Sequence, residues 1–168
     1  MNLSNLVRAA IFSAVAIGLG FMFMLVPNVE FISITVFLSG LTLGFSWGAA
    51  VGASSMLIYS SFNPLGSGLV YFTLLIGQIL AMVVIGMSGA AANKIVKSLA
   101  PVYQAILAGL FGFIGTLIYD IATNLAYPLS AGYSLKETFA YGISGVLFTV
   151  MHLASNTAIF SVVVPGYL

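Results

Sequence analysis

The chain has 168 residues, of which 61% are hydrophobic and 4% are charged, and its formal net charge is +1. Because soluble domains carry roughly 25% charged residues, this composition predicts an integral membrane protein. Four basic residues are too few to neutralise a phosphate backbone, which excludes nucleic-acid binding. A sequence without cysteine also excludes disulfides, thiolate metal sites and cysteine nucleophiles.

Turn-forming residues divide the chain into six predicted membrane passes, since a spanning helix needs about 20 apolar residues. The first apolar run continues far beyond Arg8 without a small-residue cleavage site, so it is predicted to be a helix and not a signal peptide. The second and third passes are short, and we expect them to lie deep or to be covered by protein. The predicted passes, in one all-α domain over residues 1–168, are about Asn5–Val26, Phe31–Phe45, Trp47–Phe62, Leu69–Ala92, Val102–Tyr127 and Thr138–Val164.

The basic residues predict the orientation of these passes. Arg8, Lys94 and Lys97 fall on one side of a six-pass chain, and Lys136 falls on the other. The positive-inside rule then places both termini in the cytoplasm. Three segments are predicted to lie outside, namely 27–30, 63–68 and 128–137. A tight turn at 44–47 is predicted to join the second and third passes.

A carboxylate inside the fifth pass is the first candidate functional group. An aspartate at membrane depth costs several kcal/mol unless it is paired or hydrated, so Asp120 is a functional-site hypothesis. Thr116, Thr123, Asn124 and Tyr127 share its face of a helix, at spacings of four, three, four and seven residues. The sequence therefore predicts a polar stripe that faces the interior of the bundle.

Other polar residues are predicted to join this stripe around a small-molecule pocket. Counting about 1.5 Å per residue from the outer helix ends places Asp120 roughly 10 Å deep and Gln78 roughly 13 Å deep, so the two can share one layer. The alternatives are that Asp120 and Gln78 satisfy each other or a backbone group, and that Glu30 is only solvated. The remaining predicted pocket residues are Asn124, Tyr127, Tyr59, Asn63, Asn28 and Glu30.

His152 is a second candidate for contact with a ligand. The same count from Thr138 places it roughly 21 Å from the outer surface, below the layer of Asp120. Thr149 and Asn156 share its helix face. The alternative is a buried neutral histidine that donates to the helix backbone or to an asparagine.

The surroundings of His152 suggest one enzymatic alternative. The spacings of Phe148 and Asn156 around His152 resemble those of intramembrane CAAX-type abortive-infection proteases. Those proteins also use a glutamate pair followed by arginine, whereas the only glutamates here are Glu30 and Glu137 and the chain has one histidine. The residues that general acid–base hydrolysis needs are therefore missing. One histidine and three dispersed carboxylates also fit no transition-metal site. We therefore expect neither an enzyme nor a bound cofactor or metal.

Five motifs follow one another along the chain: PNVE at 27–30, FLSGLTLG at 37–44, GAAVG at 48–52, SFNPLG at 61–66 and YDIATN at 119–124. In this order, and with this length and pass count, the chain resembles the substrate-binding S components of energy-coupling factor (ECF) transporters, a vitamin-uptake branch of the ABC superfamily. The resemblance implies a multi-pass protein of a bacterial or archaeal plasma membrane, with a pocket near the outer face under the loops at 27–30 and 63–68.

The same resemblance implies partners. Ala10 and Ala14 match the small-residue pair with which S components dock on the transmembrane T component. Two cytoplasmic ATPases power such importers, and the S component is thought to topple within the lipid to deliver its ligand. The alternative is a small stand-alone carrier or channel-like protein, although no inverted repeat is visible.

The distribution of charge restricts the substrate. No lysine or arginine lies in the outer half of a predicted helix, and Lys136 is expected to pair with Glu137. An anionic ligand would need a positively charged side chain as its partner. The sequence therefore favours a donor-rich or cationic micronutrient, such as a queuosine precursor or other modified base, thiamin, or a cobalamin-related base.

Overall fold

A computed structural model describes residues 3–66 and 68–168 of the chain. These residues form α-helices and no strand, which confirms the predicted all-α class. Ser67, in the predicted outer loop 63–68, lies outside the described residues, as do residues 1 and 2. The helices are α1 (Leu3–Phe23), α2 (Ile32–Leu43), α3 (Phe45–Phe62), α4 (Phe72–Ser98), α5 (Pro101–Ser130), α6 (Leu135–Ser144) and α7 (Val146–Tyr167).

Four of these helices, α1, α4, α5 and α7, are long and apolar enough to cross a membrane. By the length and composition of these helices the chain is a multi-pass membrane protein. The 12 residues of α2 extend about 18 Å, which is less than the roughly 30 Å of a hydrocarbon core. The 18 residues of α3 reach about 27 Å.

The short helix α2 lies at the centre of the bundle. Each of its residues from Ile32 to Leu41 is buried, because α1, α3 and α4 surround it and α5 and α7 also touch it. A helix that is apolar on all sides needs such a covering. Protein therefore covers α2, which is one of the two arrangements expected for this short segment.

Glycines bring the backbones of α2, α3 and α4 into contact. A Cβ on Gly40 would lie 1.8 Å from the carbonyl oxygen of Gly86, and a Cβ on Gly48 would lie 2.5 Å from the same atom. Only Gly44 connects α2 to α3, with φ of 90°, a region that glycine enters at little cost. The predicted turn at 44–47 is thus reduced to one residue.

The predicted sixth pass is wrong as one continuous helix over residues 138–164. The structure divides this segment into α6 and α7, which are separated by Gly145. A capping box starts α6 earlier than predicted: the backbone N–H of Ser134 donates to Glu137 Oε2 at 2.8 Å, and Ser134 Oγ accepts from the backbone N–H of Glu137 at 3.4 Å. Glu137 therefore bonds to Ser134, and its predicted ion pair with Lys136 is absent from the described residues.

The helix ends group at two ends of the bundle. Arg8 of α1 and Tyr167 of α7 line one groove, and the Tyr167 hydroxyl lies 2.7 Å from Thr42 Oγ1 at the end of α2. Asn93 of α4 donates to the carbonyl of Leu41, which brings the end of α4 with its two lysines to the same place. We call this the basic end, and the described residues of the connections 24–31, 63–71 and 131–134 lie at the opposite end.

Candidate functional site

The side chains of Asp120 of α5 and His152 of α7 form a hydrogen-bonded pair inside the bundle. Asp120 Oδ1 lies 2.9 Å from His152 Nδ1, and the two side chains are only 11% and 14% exposed. The predicted depth of His152 was wrong because α7 begins at Val146, only six residues before the histidine. The alternative in which Asp120 and Gln78 satisfy each other is also wrong, since each has another partner.

Glu30 connects the α1–α2 loop to the same region. Its Oε2 accepts from the backbone N–H of Ser33 at 2.9 Å, at the first turn of α2. Its Oε1 accepts from Asn156 Nδ2 at 3.0 Å, and the same nitrogen donates to Thr116 Oγ1 at 2.9 Å. Asn156 is completely buried. A merely solvated Glu30 is therefore excluded, and this carboxylate holds the loop against α5 and α7.

Asn156 was not among the predicted site residues. Its position four residues after His152 on one helix face was the signal that could have found it, because residues at this spacing are neighbours on a helix. The polar stripe of α5 and this face of α7 meet along Thr116–Asn156 and Asp120–His152.

Gln78 of α4 is connected to the site through Tyr119, which was not among the predicted site residues either. Ser60 Oγ donates to Gln78 Oε1 at 2.7 Å, and Gln78 Nε2 donates to the Tyr119 hydroxyl at 3.1 Å. The Tyr119 ring stands edge-on to His152, with 6.2 Å between ring centroids and 83° between planes. Tyr119 lies one residue before Asp120, so it is not on the helix face of the predicted polar stripe. The helical spacing therefore gave no sign that Tyr119 faces the interior.

Two cavities adjoin the Asp120–His152 pair. The first, about 260 Å³, lies under the α1–α2 loop between α1, α3 and α4. The second, about 340 Å³, lies between α5, α6 and α7. Asn28 and His152 line both cavities. Polar residues that line the first are Glu30, Tyr59 and Tyr119, and those that line the second include Asp120, Thr123, Asn124 and Thr149.

Several buried polar atoms at this site have no hydrogen-bond partner within the described part of the chain: Asp120 Oδ2, Asn28 Nδ2 and Asn156 Oδ1. Native proteins leave few buried polar groups unpaired, because each one costs free energy. Two of these residues, Asp120 and Asn28, belong to the lining of the second cavity, which favours a site that binds something other than the protein itself.

The backbone of Asn28 is fixed in an unusual conformation. Its φ of 58° is in the left-handed region, which asparagine tolerates better than most residues. Its carbonyl accepts a hydrogen bond from Ser155 of α7. The α1–α2 loop is thus attached to α7 at Asn28 as well as at Glu30.

The other predicted residues lie at varied distances from the cavities. Asn63 Oδ1 accepts from the backbone N–H of Leu65 at 2.9 Å, and Asn63 does not belong to the described lining of either cavity. Tyr127 packs on Tyr71, with 5.0 Å between ring centroids. Ala10 and Ala14 are exposed on α1, away from this site.

The chemistry available here is hydrogen bonding and charge complementarity. One carboxylate–imidazole pair stands beside amides, hydroxyls and aromatic walls, a typical composition for recognition of a small molecule. Among residues 3–66 and 68–168, no group of three histidine, aspartate or glutamate side chains could hold a metal ion.

Comparisons with protein-family models, with curated proteins and with solved structures found no match. The interpretation of the site therefore depends on its own geometry and on the motifs in the sequence.

Proposed function

We propose that this protein is the substrate-binding S component of an ECF-type importer, which captures a micronutrient at the outer face of a plasma membrane. The observation that carries the proposal is the convergence of Asp120, His152, Asn28 and Glu30 on two adjoining cavities. These residues come from α5, α7 and the α1–α2 loop, at the end of the bundle opposite Arg8, Lys94 and Lys97.

The proposed orientation follows from charge. Arg8, Lys94 and Lys97 belong to the basic end, which the positive-inside rule assigns to the cytoplasm. The cavities then open toward the outside, and the α1–α2 loop covers the first of them. In this proposal α2 and α3 cross as a pair, which gives six passes, and α6 lies near the outer surface.

The proposed partners are a transmembrane T component and two cytoplasmic ATPases. Ala10 and Ala14 are exposed four residues apart on α1, and small residues at this spacing allow another helix to approach closely in lipid. A reversible contact at this surface suits a subunit that docks, topples and releases its ligand.

Substitution of Ala14 by tryptophan tests the docking assignment. The indole would block a close helix contact, so ATP-driven uptake should be lost while ligand binding is retained. Ala154→Trp is the matched control, because Ala154 is exposed on the α5–α7 face. The ligand is first identified by mass spectrometry of small molecules that co-purify with the protein, and its uptake is then measured in cells of the native host.

The outcomes separate the candidate functions. Normal uptake by the Ala14→Trp variant would contradict docking through α1. Uptake that continues without ATPases would favour the stand-alone carrier. If no small molecule co-purifies and the host takes up nothing through this protein, the importer proposal fails.

A further inference from the structure

The groove that Arg8 and Tyr167 line at the basic end separates α1 from α7. Both helices pack on α2, which forms the floor of the groove, but α1 and α7 do not contact each other within residues 3–66 and 68–168. The groove has a volume of about 370 Å³. Because the hydrocarbon region of a bilayer holds no water, a groove between two membrane-spanning helices must be filled by lipid or by protein.

The inside of this groove is apolar. One wall is formed by four side chains of α1: Ile11, Phe12, Val15 and Leu19. The hydroxyl of Thr35 on the floor is already used, because it donates to the Phe31 carbonyl at 2.7 Å. The described side chains along the groove therefore suit a hydrocarbon chain and offer no hydrogen bond to a polar one.

The dimensions of the groove match one lipid tail. Along α1 the lining runs from Arg8 to Leu19, which is about 16 Å at 1.5 Å per residue. This length is about half of the roughly 30 Å hydrocarbon core, the depth of one leaflet. A volume of about 370 Å³ spread over that length is much narrower than a helix, which is about 10–12 Å across with its side chains.

A positive charge without an acidic partner stands at one end of the groove. Arg8 is exposed, and it forms no ion pair with the part of the chain that the structure describes. The three acidic side chains of the sequence bond to other residues and do not line the groove: Glu30, Asp120 and Glu137. Lys94 and Lys97 add positive charge at the same end of the bundle.

We propose that this groove binds an anionic phospholipid of the leaflet at the basic end, with one acyl chain between α1 and α7 and the phosphate on Arg8. A guanidinium donates two parallel hydrogen bonds to a phosphate. A headgroup with net negative charge is favoured over a zwitterionic one, because basic residues near the membrane surface attract anionic lipids. Ala10 and Ala14 do not line the groove, so the proposal is independent of docking through these two residues.

Native mass spectrometry of the full chain measures which lipid the protein retains. The protein is released from detergent micelles that contain equal amounts of phosphatidylglycerol and phosphatidylcholine with identical acyl chains. We expect one retained lipid per chain and about fivefold more phosphatidylglycerol than phosphatidylcholine, the preference expected from one basic residue at the headgroup.

Arg8→Gln tests the headgroup contact. The variant loses the charge that selects an anionic lipid, so we expect it to retain the two lipids in nearly equal amounts. Lys97→Gln is the matched control, because it removes the same charge at the same end from an exposed residue that does not line the groove. This control should keep most of the preference for phosphatidylglycerol.

Val15→Trp tests the place of the acyl chain. Val15 is exposed in the wall of the groove, and an indole there would fill the space of the chain, so the retained lipid of both kinds should be lost. Val162→Trp is the matched control, since Val162 is exposed on α7 outside the groove. Thermal unfolding checks that both variants are folded, and Arg8→Gln tests the proposal even if Val15→Trp does not fold.

Four results would overturn the proposal: no retained lipid, equal retention of the two lipids by the unaltered protein, the same preference in Arg8→Gln and Lys97→Gln, or retention by a folded Val15→Trp variant. A dimer of the unaltered protein that Val15→Trp abolishes would also overturn it, because a second copy would then cover the groove. None of these measurements depends on a captured micronutrient or on uptake, so their failure would leave the importer proposal standing.

Discussion

At the scale of single residues, Asp120 illustrates how an acid can persist in an apolar bundle. An isolated carboxylate at this position would carry a large desolvation cost, and the contact with His152 Nδ1 at 2.9 Å offsets it. One oxygen is used in this contact, while the other is buried and unpaired. The residue therefore has both a structural partner and an unused acceptor.

Asp120→Asn separates these two roles. An asparagine oxygen can still accept from His152, so the unfolding temperature should change little, but the charge and the second acceptor are lost. We expect affinity for the co-purified ligand to fall at least about tenfold, or about 1.4 kcal/mol, measured by calorimetry. Unchanged affinity with a lower unfolding temperature would instead show that the pair is only structural.

The sequence predicted Asp120 as a buried polar group, but it could not predict its partner. The stripe on α5 followed from helical spacing, which is local. The depth of His152 depended on where its helix begins, and Gly145 shifted that point from Thr138 to Val146. A side-chain pair between two helices is sensitive to such shifts, because one residue changes the position by about 1.5 Å and the direction by about 100°.

At the scale of elements, the packing of α2, α3 and α4 depends on backbone contact. A Cβ on Gly86 would lie 2.1 Å from the carbonyl oxygen of Gly48, and only a movement of one helix could relieve this overlap. Lipid supplies no hydrophobic drive between helices, so close packing of this kind is what stabilises them. The recurring glycines at four-residue spacing were visible in the sequence, whereas their partners were not.

Gly86→Ala should destabilise the bundle by about 1–3 kcal/mol, the usual cost of overpacking. Gly142→Ala is the matched control, because nothing lies within 4 Å of a Cβ at Gly142 and alanine is the better helix former. Chemical denaturation in detergent measures both variants. Equal stability of the two would refute the proposed importance of backbone contact.

The start of α6 should depend on pH. Hydrogen bonds from the Ser134 side chain and backbone hold the pKa of the Glu137 carboxyl below its ordinary value. A depressed pKa means that the stabilisation is present above the ordinary carboxyl range and is lost as the pH falls through the lower, folded value. NMR signals of the α6 backbone amides should therefore shift only at pH values below that range.

Ser134→Ala is the control for this titration, since it removes the side-chain partner of Glu137. We expect the transition of the variant to move up toward the ordinary carboxyl range. An identical titration in both proteins would show that the capping box does not set the pKa of Glu137.

At the scale of the whole molecule, charge and polarity are separated along the bundle. Arg8 lies with Tyr167 at the basic end, and Glu30 lies in the loop at the opposite end. The sequence predicted this separation from loop positions alone, because alternate connections of an antiparallel bundle must share an end. It could not predict that residues 135–144 form a helix of their own, since a capping box followed by an apolar run also fits the start of a longer pass.

The number and direction of the passes can be tested by labelling, because the sequence contains no cysteine and single cysteines can be introduced without background. Ser46, Ser98 and Ala131 are exposed at the start of α3, the end of α4 and the end of α5. With six passes and a cytoplasmic basic end, a membrane-impermeant maleimide should label intact cells carrying Ala131→Cys. It should label Ser46→Cys and Ser98→Cys only after the membrane is opened.

Labelling of Ser98→Cys but not of Ala131→Cys in intact cells would show that the protein has the opposite orientation. Labelling of Ser46→Cys from outside would show that α2 and α3 together enter and leave the membrane on one side, since α2 is only about 18 Å long. The number of passes would then be four instead of six.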